Sequence, residues 1–155
     1  QYSTAVKDSD FLQYLNKFVF GEVFFHGILT DKQRELITLV VLTTNQTLDQ
    51  VKLHAGVALN VGLTPVEIKE ALYQCAPYIG FPKTLNAIAQ ANKIFEERSI
   101  SLPVEGQSTT TEETRLEKGI AVQKSIFREE HIDTMRANAP VNQKHIQQYH
   151  TQVLA

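Results

Sequence analysis

One stretch of this chain has few ways to fold. Leu36-Ile37-Thr38-Leu39-Val40-Val41-Leu42 is almost continuously apolar, and it lies between a threonine cap and a polar turn. Thr30, with Gln33 three residues on, has the pattern of a capping box, in which each side chain satisfies the other's backbone amide. A helix is therefore expected from Thr30 to about Thr44. A helix apolar on every side is expected to be buried on every side, which makes this one the candidate central core helix. Thr43-Thr44-Asn45-Gln46-Thr47 then forms a polar turn. Thr47 with Gln50 has the form of a second capping box, opening a helix to about Val61 with Gly62 as a left-handed stop. If the two helices fold back as a hairpin, Glu35 on the first and His54 on the second face one another across an apolar seam.

The remaining patterns are helical too, and strand signals are absent. Phe11, Tyr14, Leu15, Phe18, Val19 and Val23 follow helical spacing from Asp10 to about Phe25, and Gly27 ends that run. Thr64-Pro65-Val66-Glu67 combines a cap, a proline at the first helical position and a glutamate placed to reach back. Its helix carries Ile68, Ala71, Leu72 and Cys75 to about Tyr78. Gly80-Phe81-Pro82 makes a corner, and the next helix, ending near Arg98, presents Leu85, Ile88, Ala89, Ala91 and Ile94. Residues 99–114, rich in serine, threonine, glycine and proline, form a polar linker. Beyond it, Ile120, Val122, Ile126, Phe127 and Ile132 predict one more helix. Asn138-Ala139-Pro140 interrupts, and a last helix starts near Asn142. Ile146-Gln147-Gln148-Tyr149 weakly echoes Phe11-Leu12-Gln13-Tyr14.

Bulk numbers exclude several classes. A chain of 155 residues with 43% hydrophobic and 21% charged content is an ordinary globular composition. A net charge of -2 and a pI near 6.2 provide no basic surface for nucleic acid. No apolar run has the roughly 18 residues of a membrane span. The lone Cys75 cannot form a disulfide within the chain, which fits a cytoplasmic setting. The first residue is Gln, so a periplasmic protein with a removed leader stays open.

Glu35 is either a first-turn acid that stabilises its helix dipole, with Arg34 as an ordinary ion-pair partner, or a partly desolvated carboxylate that moves protons. His54 lies between Leu53 and Ala55, followed by Gly56, which would let helices approach and leave a narrow cleft. Gln74, Cys75 and Tyr78 on a following helix, and His26 at the end of the first, are candidates for the same place. Imidazole shuttles protons near neutrality and, charged, holds a carboxylate. Cys75 reads as a buried structural thiol. His131, His145 and His150 lack metal-site spacing. No cofactor motif is present, so neither metal nor cofactor is expected.

Three blocks carry a family resemblance: Leu29 to Leu39, His54 to Glu70, and Tyr78 to Ala87. Together they resemble the carboxymuconolactone decarboxylase family, which includes AhpD-type alkylhydroperoxidases. The resemblance implies an all-α, AhpD-like helical bundle around a central helical hairpin, assembled as a homo-oligomer (trimer or hexamer). Glu35 and His54 match the acid and imidazole of the peroxidase branch. The positions of that branch's cysteine pair fall on Thr47 and Gln50, so peroxide reduction by that route is lost. In the decarboxylase branch a histidine often stands where Gln74 stands here. The tail from Arg115 resembles the lead-in to a second core in tandem members. The implied organisation is a core at 1–98, a linker at 99–114 and a helical tail at 115–155.

The function expected on these grounds is a cofactor-free decarboxylase acting on a small carboxylated lactone or keto acid. Glu35 and His54 would be catalytic, and Arg34, His26, Gln74 and Tyr78 substrate-binding. The alternatives are a peroxidase relative that uses Cys75 with an external thiol and a non-catalytic oligomeric scaffold.

Overall fold

The computed structural model describes residues 8–153, so the outermost residues of the 1–98 and 115–155 segments lie outside it. Among the described residues there is no strand, and no helix is long and apolar enough to cross a membrane. The chain is an all-α bundle. Its elements are α1 (Ser9–Leu15), which continues as a π-helical stretch (Asn16–Val23), α2 (Asp31–Thr44), α3 (Leu48–Asn60), α4 (Pro65–Tyr73), the short α5 (Ala76–Ile79) and α6 (Phe81–Glu97). The tail adds α7 (Arg115–Ile126), α8 (Glu129–Ala137), a 3₁₀ turn (Val141–Gln143) and α9 (Lys144–Val153).

Local chemistry sets most helix starts. Thr30 and Thr64 both sit in extended backbone, and both complete reciprocal capping boxes, with Gln33 and Glu67. The Thr64 amide, donating to Glu67 Oε2 at 2.7 Å, and then the Thr64 side chain hold the Glu67 carboxyl below its ordinary range. Thr47 differs. It stands at the start of α3 but makes no side-chain cap, because its ψ of 69° is far from the 160° and 156° of the other two. Its amide instead donates to the Leu42 carbonyl at 3.0 Å and closes the hairpin. Gly62 adopts φ +91°, and the Leu63 amide reaches back to the Ala58 carbonyl at 2.9 Å, a left-handed C-terminal stop.

The α2–α3 hairpin is pinned at its tip. Gln46 donates to the carbonyls of Thr43 (2.7 Å) and Lys83 (3.0 Å) and accepts from Asn86 (3.0 Å), tying the turn to the start of α6. The core joins Leu39, Val51, Ala55, Ala58, Leu63, Ile68, Leu72, Ala87, Ala91 and Phe95. Small residues on α3 and α6 bring these two helices together. A Cβ on Gly56 would lie 3.3 Å from the Arg98 guanidinium and 3.5 Å from Ile94, so Gly56 serves the α3–α6 contact rather than a cleft beside His54.

Four expectations need correction. Helix α2 is not buried on every side: Leu39 is in the core, Leu36 and Leu42 are half-buried, and Ile37, Val40 and Val41 face outward. Its apolar run exceeds the surface that one chain covers. On α6 the buried face is Thr84, Ala87, Ala91 and Phe95, while Leu85 and Ala89 point out, because the close approach to α3 selects the small side chains. The helix from Pro65 ends at Tyr73 instead of Tyr78, since Pro77 has no amide to donate to the Tyr73 carbonyl. The single tail helix is two helices, broken where Phe127 becomes extended. In the tail, α7 packs on α8 and α9, and Ile132 and Thr151 are buried.

Two substitutions test this packing. Lys69 is 5% exposed, hydrogen-bonds Asn92, and lies 5.9 Å from the centre of the Phe95 ring. Burial lowers its pKa below the ordinary 10.5. The folded chain therefore binds fewer protons than the unfolded one between the two values, and stability rises with pH across that window. The burial penalty on the charged amine is largest below that window and is relieved across it. Lys69→Met is expected to raise Tm at pH 7 by roughly 3 °C, and the gain should shrink as calorimetry is repeated towards pH 10. At Gly119 an added Cβ would lie 1.9 Å from the Thr151 carbonyl oxygen, a backbone atom that cannot swing aside. Gly119→Ala should release α9 from α7, seen as faster amide exchange in 144–153 with residues 31–97 unchanged.

Candidate active site

The hairpin brings Glu35 and His54 together. Glu35 lies in the second turn of α2 on the same stripe as Leu39 and Thr43, the stripe that enters the core. His54 lies beside Ala55 on α3, one step round from the buried stripe of Val51, Ala55 and Ala58. His54 Nδ1 is 2.9 Å from Glu35 Oε2, with side-chain exposures of 28% and 6%. A carboxylate this deep requires a partner, since an unpaired buried charge is costly. The imidazole supplies it. With Nδ1–H donated to Glu35, the ring orientation is fixed and Nε2 is free to take or give a proton.

Arg34 does not pair with Glu35. Its side chain leaves α2 about 100° round from Glu35. There Nη2 donates to the His26 carbonyl and the guanidinium carbon lies 5.8 Å from the centre of the Phe24 ring. Its Nε is buried with no hydrogen-bond partner among the described residues. His26 thus meets Arg34 through its backbone, and its ring is exposed. Phe24 was not among the sequence candidates; a ring ten residues before an arginine gives no local signal of stacking.

Gln74 and Tyr78 stand apart from the acid–imidazole pair. Both are exposed, and no hydrogen bond joins either to Glu35 or His54. A hollow of about 440 Å³ between the α4–α6 face and the tail is lined by Tyr73, Pro77, Phe81, Leu85, Arg115 and Tyr149 among others, and neither Gln74 nor Tyr78 is part of that lining. Cys75 is 4% exposed and its thiol back-bonds to the Ala71 carbonyl at 3.4 Å. Burial pushes this thiol up, away from the reactive thiolate. Thr47 and Gln50 are exposed at the start of α3. Among the described residues no His, Cys, Asp and Glu gather as a metal site.

Fold and site together define a class: a small helical bundle whose central hairpin carries a buried carboxylate against a half-open imidazole. The family model for carboxymuconolactone decarboxylases matches residues 9–93, and the chain belongs to that family. It is 30% identical over 94 residues to 4-carboxymuconolactone decarboxylase of Acinetobacter baylyi, which covers 61% of this chain and 70% of that protein. It is 29% identical over 85 residues to a nitrosuccinic acid decarboxylase of Metarhizium robertsii, covering 55% of this chain and 59% of that protein, under two thirds of its length.

If Arg34 is what fastens the end of the aromatic helix, Arg34→Met should loosen it. Amide exchange is expected to rise across residues 16–26 by about tenfold, with protection in α3 and α6 unchanged. Equal exchange in both proteins would mean the tie carries nothing.

Proposed function

We propose that the chain is a cofactor-free decarboxylase of a small carboxylated lactone or keto acid. The observation that carries this reading is the 2.9 Å contact of His54 with a buried glutamate, in a member of a decarboxylase family. The names of both relatives denote loss of carbon dioxide from a small acid.

The step needs little from the protein beyond position and a proton. The bond between the substrate carbon and its carboxylate breaks, and the electron pair stays on that carbon, delocalised into the adjoining carbonyl. Carbon dioxide leaves. His54 Nε2–H then delivers a proton to the carbon, and solvent restores it. No oxidant or reductant is consumed. His54 is the catalytic residue in this scheme. Glu35 is a positioning residue that holds the ring through its contact with Nδ1. Arg34, the neighbour of Glu35 in sequence, adds a positive charge on α2 that favours an anionic substrate. Gln74 and Tyr78, set apart from the pair, are not assigned to the reacting centre.

Purified protein should release carbon dioxide from carboxylated lactones or keto acids. His54→Asn is expected to lower kcat by about 10²–10⁴-fold, the usual contribution of a positioned general acid. Glu35→Gln should cost about 10–100-fold, as loss of an orienting partner does, and should also move the pH profile of kcat. Cys75→Ser should leave turnover intact. Activity that survives His54→Asn, or that vanishes with Cys75→Ser, would sink the proposal.

A further inference from the structure

The hollow between the α4–α6 face and the tail has two unlike walls. Its core wall is apolar. Tyr73 ends α4, Pro77 lies on α5, and Phe81, Leu85 and Ile88 form one stripe at the start of α6 by their i, i+4, i+7 spacing. The hydroxyl on that wall belongs to Thr84, which is buried and already donates to the Gly80 carbonyl at 3.1 Å. Tyr73, Phe81 and Leu85 remain 43%, 63% and 61% exposed, so the wall presents more ring and methyl surface than the tail covers.

The tail wall carries the charge. Arg115 opens α7, and Tyr149 and His150 stand together on α9 with ring centroids 6.3 Å apart. Arg115 donates from Nη1 to Glu112 at 2.8 Å, but the Glu112 side chain is 79% exposed, and such a surface pair holds its arginine weakly. The rest of the guanidinium fork makes no hydrogen bond among the described residues. Among those residues no Asp or Glu lines the hollow, although acids outnumber Lys and Arg in the chain by 17 to 15. The space thus has a greasy side and a cationic side.

We infer that this hollow is a second ligand site, which takes a small aromatic carboxylate. Its volume of about 440 Å³ falls in the range of small-molecule sites. The ligand's ring lies on the Phe81–Leu85–Ile88 stripe, where Tyr73 and Tyr149 offer edge and offset contacts. Its carboxylate turns to the tail, where the arginine fork matches two carboxylate oxygens and His150 adds a donor. A molecule so placed touches α6 on one side and α7 and α9 on the other, so its binding also braces the tail against the core. Neither Glu35 nor His54 lines the hollow. The site therefore stands apart from the decarboxylase reading, and its test reads binding and not turnover.

The test titrates cinnamate into the isotope-labelled full 155-residue chain and follows the amide resonances. Saturable shifts are expected in residues 73–88 and 149–153, with Glu35 and His54 unmoved. The dissociation constant should be on the order of a few millimolar or tighter, as a ligand of this size allows. Arg115→Gln should weaken binding about tenfold, roughly the worth of one hydrogen bond to a charged group. Cinnamamide, which keeps the ring and lacks the charge, should lose a similar factor. Cinnamate should also slow amide exchange in residues 144–153 of the unsubstituted chain. Unchanged resonances from α2 and α3 would show that the Arg115→Gln chain is folded. Three results would overturn the inference: shifts that centre on residues 34–57 or never saturate, an affinity indifferent to Arg115→Gln, or cinnamamide binding as well as cinnamate.

Discussion

A buried carboxylate cannot be left alone, and that constraint organises this molecule. Glu35 goes under the surface with the core stripe of α2, so something cationic or protic must meet it. His54 does so across the hairpin at 2.9 Å. For it to do so, the turn must fix the register of the two helices, and α3 must present the ring on the side facing α2. The close approach of α3 to α6 through Ala55, Ala58, Ala87 and Ala91 sets that rotation from behind. Packing on one face of α3 therefore determines which side chain meets Glu35 on another.

The same constraint sorts the buried ionisable groups by what surrounds each of them. Cys75 is buried among apolar atoms, where a thiol stays protonated, so its surroundings remove the nucleophile. Lys69 is buried too, but an amide and a ring face accept it, and no carboxylate is among its partners. Glu35 has a titratable partner that can share a proton, and that partner still reaches solvent. Of these buried groups, it alone has the geometry of a relay.

How much of this was legible in the sequence depended on the range of the interaction. Thr30 and Thr64 announced their helices because a capping box closes within four residues, and Gly62 marked its stop for the same reason. Thr47 had the same letters but not the same ψ, which the hairpin sets. The break at Phe127 and the early end of α4 before Pro77 were also local, the second with a residue-level signal that periodicity outweighed. Glu35 and His54 could be paired because helical rods joined by a short turn must lie side by side. Gln74 and Tyr78 could not be placed, since the kink between α4 and α5 redirects them. The run from Leu36 to Leu42 misled for a different reason: hydrophobicity reports what a residue avoids, and not which chain shields it.

The glutamine latch at the hairpin tip has a consequence for precision. Gln46 binds two carbonyls and an amide, fixing the turn to the start of α6. Glu35 and His54 lie roughly 10–15 Å along their rods from that point. A change of about 5° in the angle between the rods would separate the oxygen and the ring nitrogen by about 1 Å, enough to break a hydrogen bond. The fulcrum is therefore where tolerance is set: three amide contacts remote from any reacting atom govern whether acid and base stay within reach.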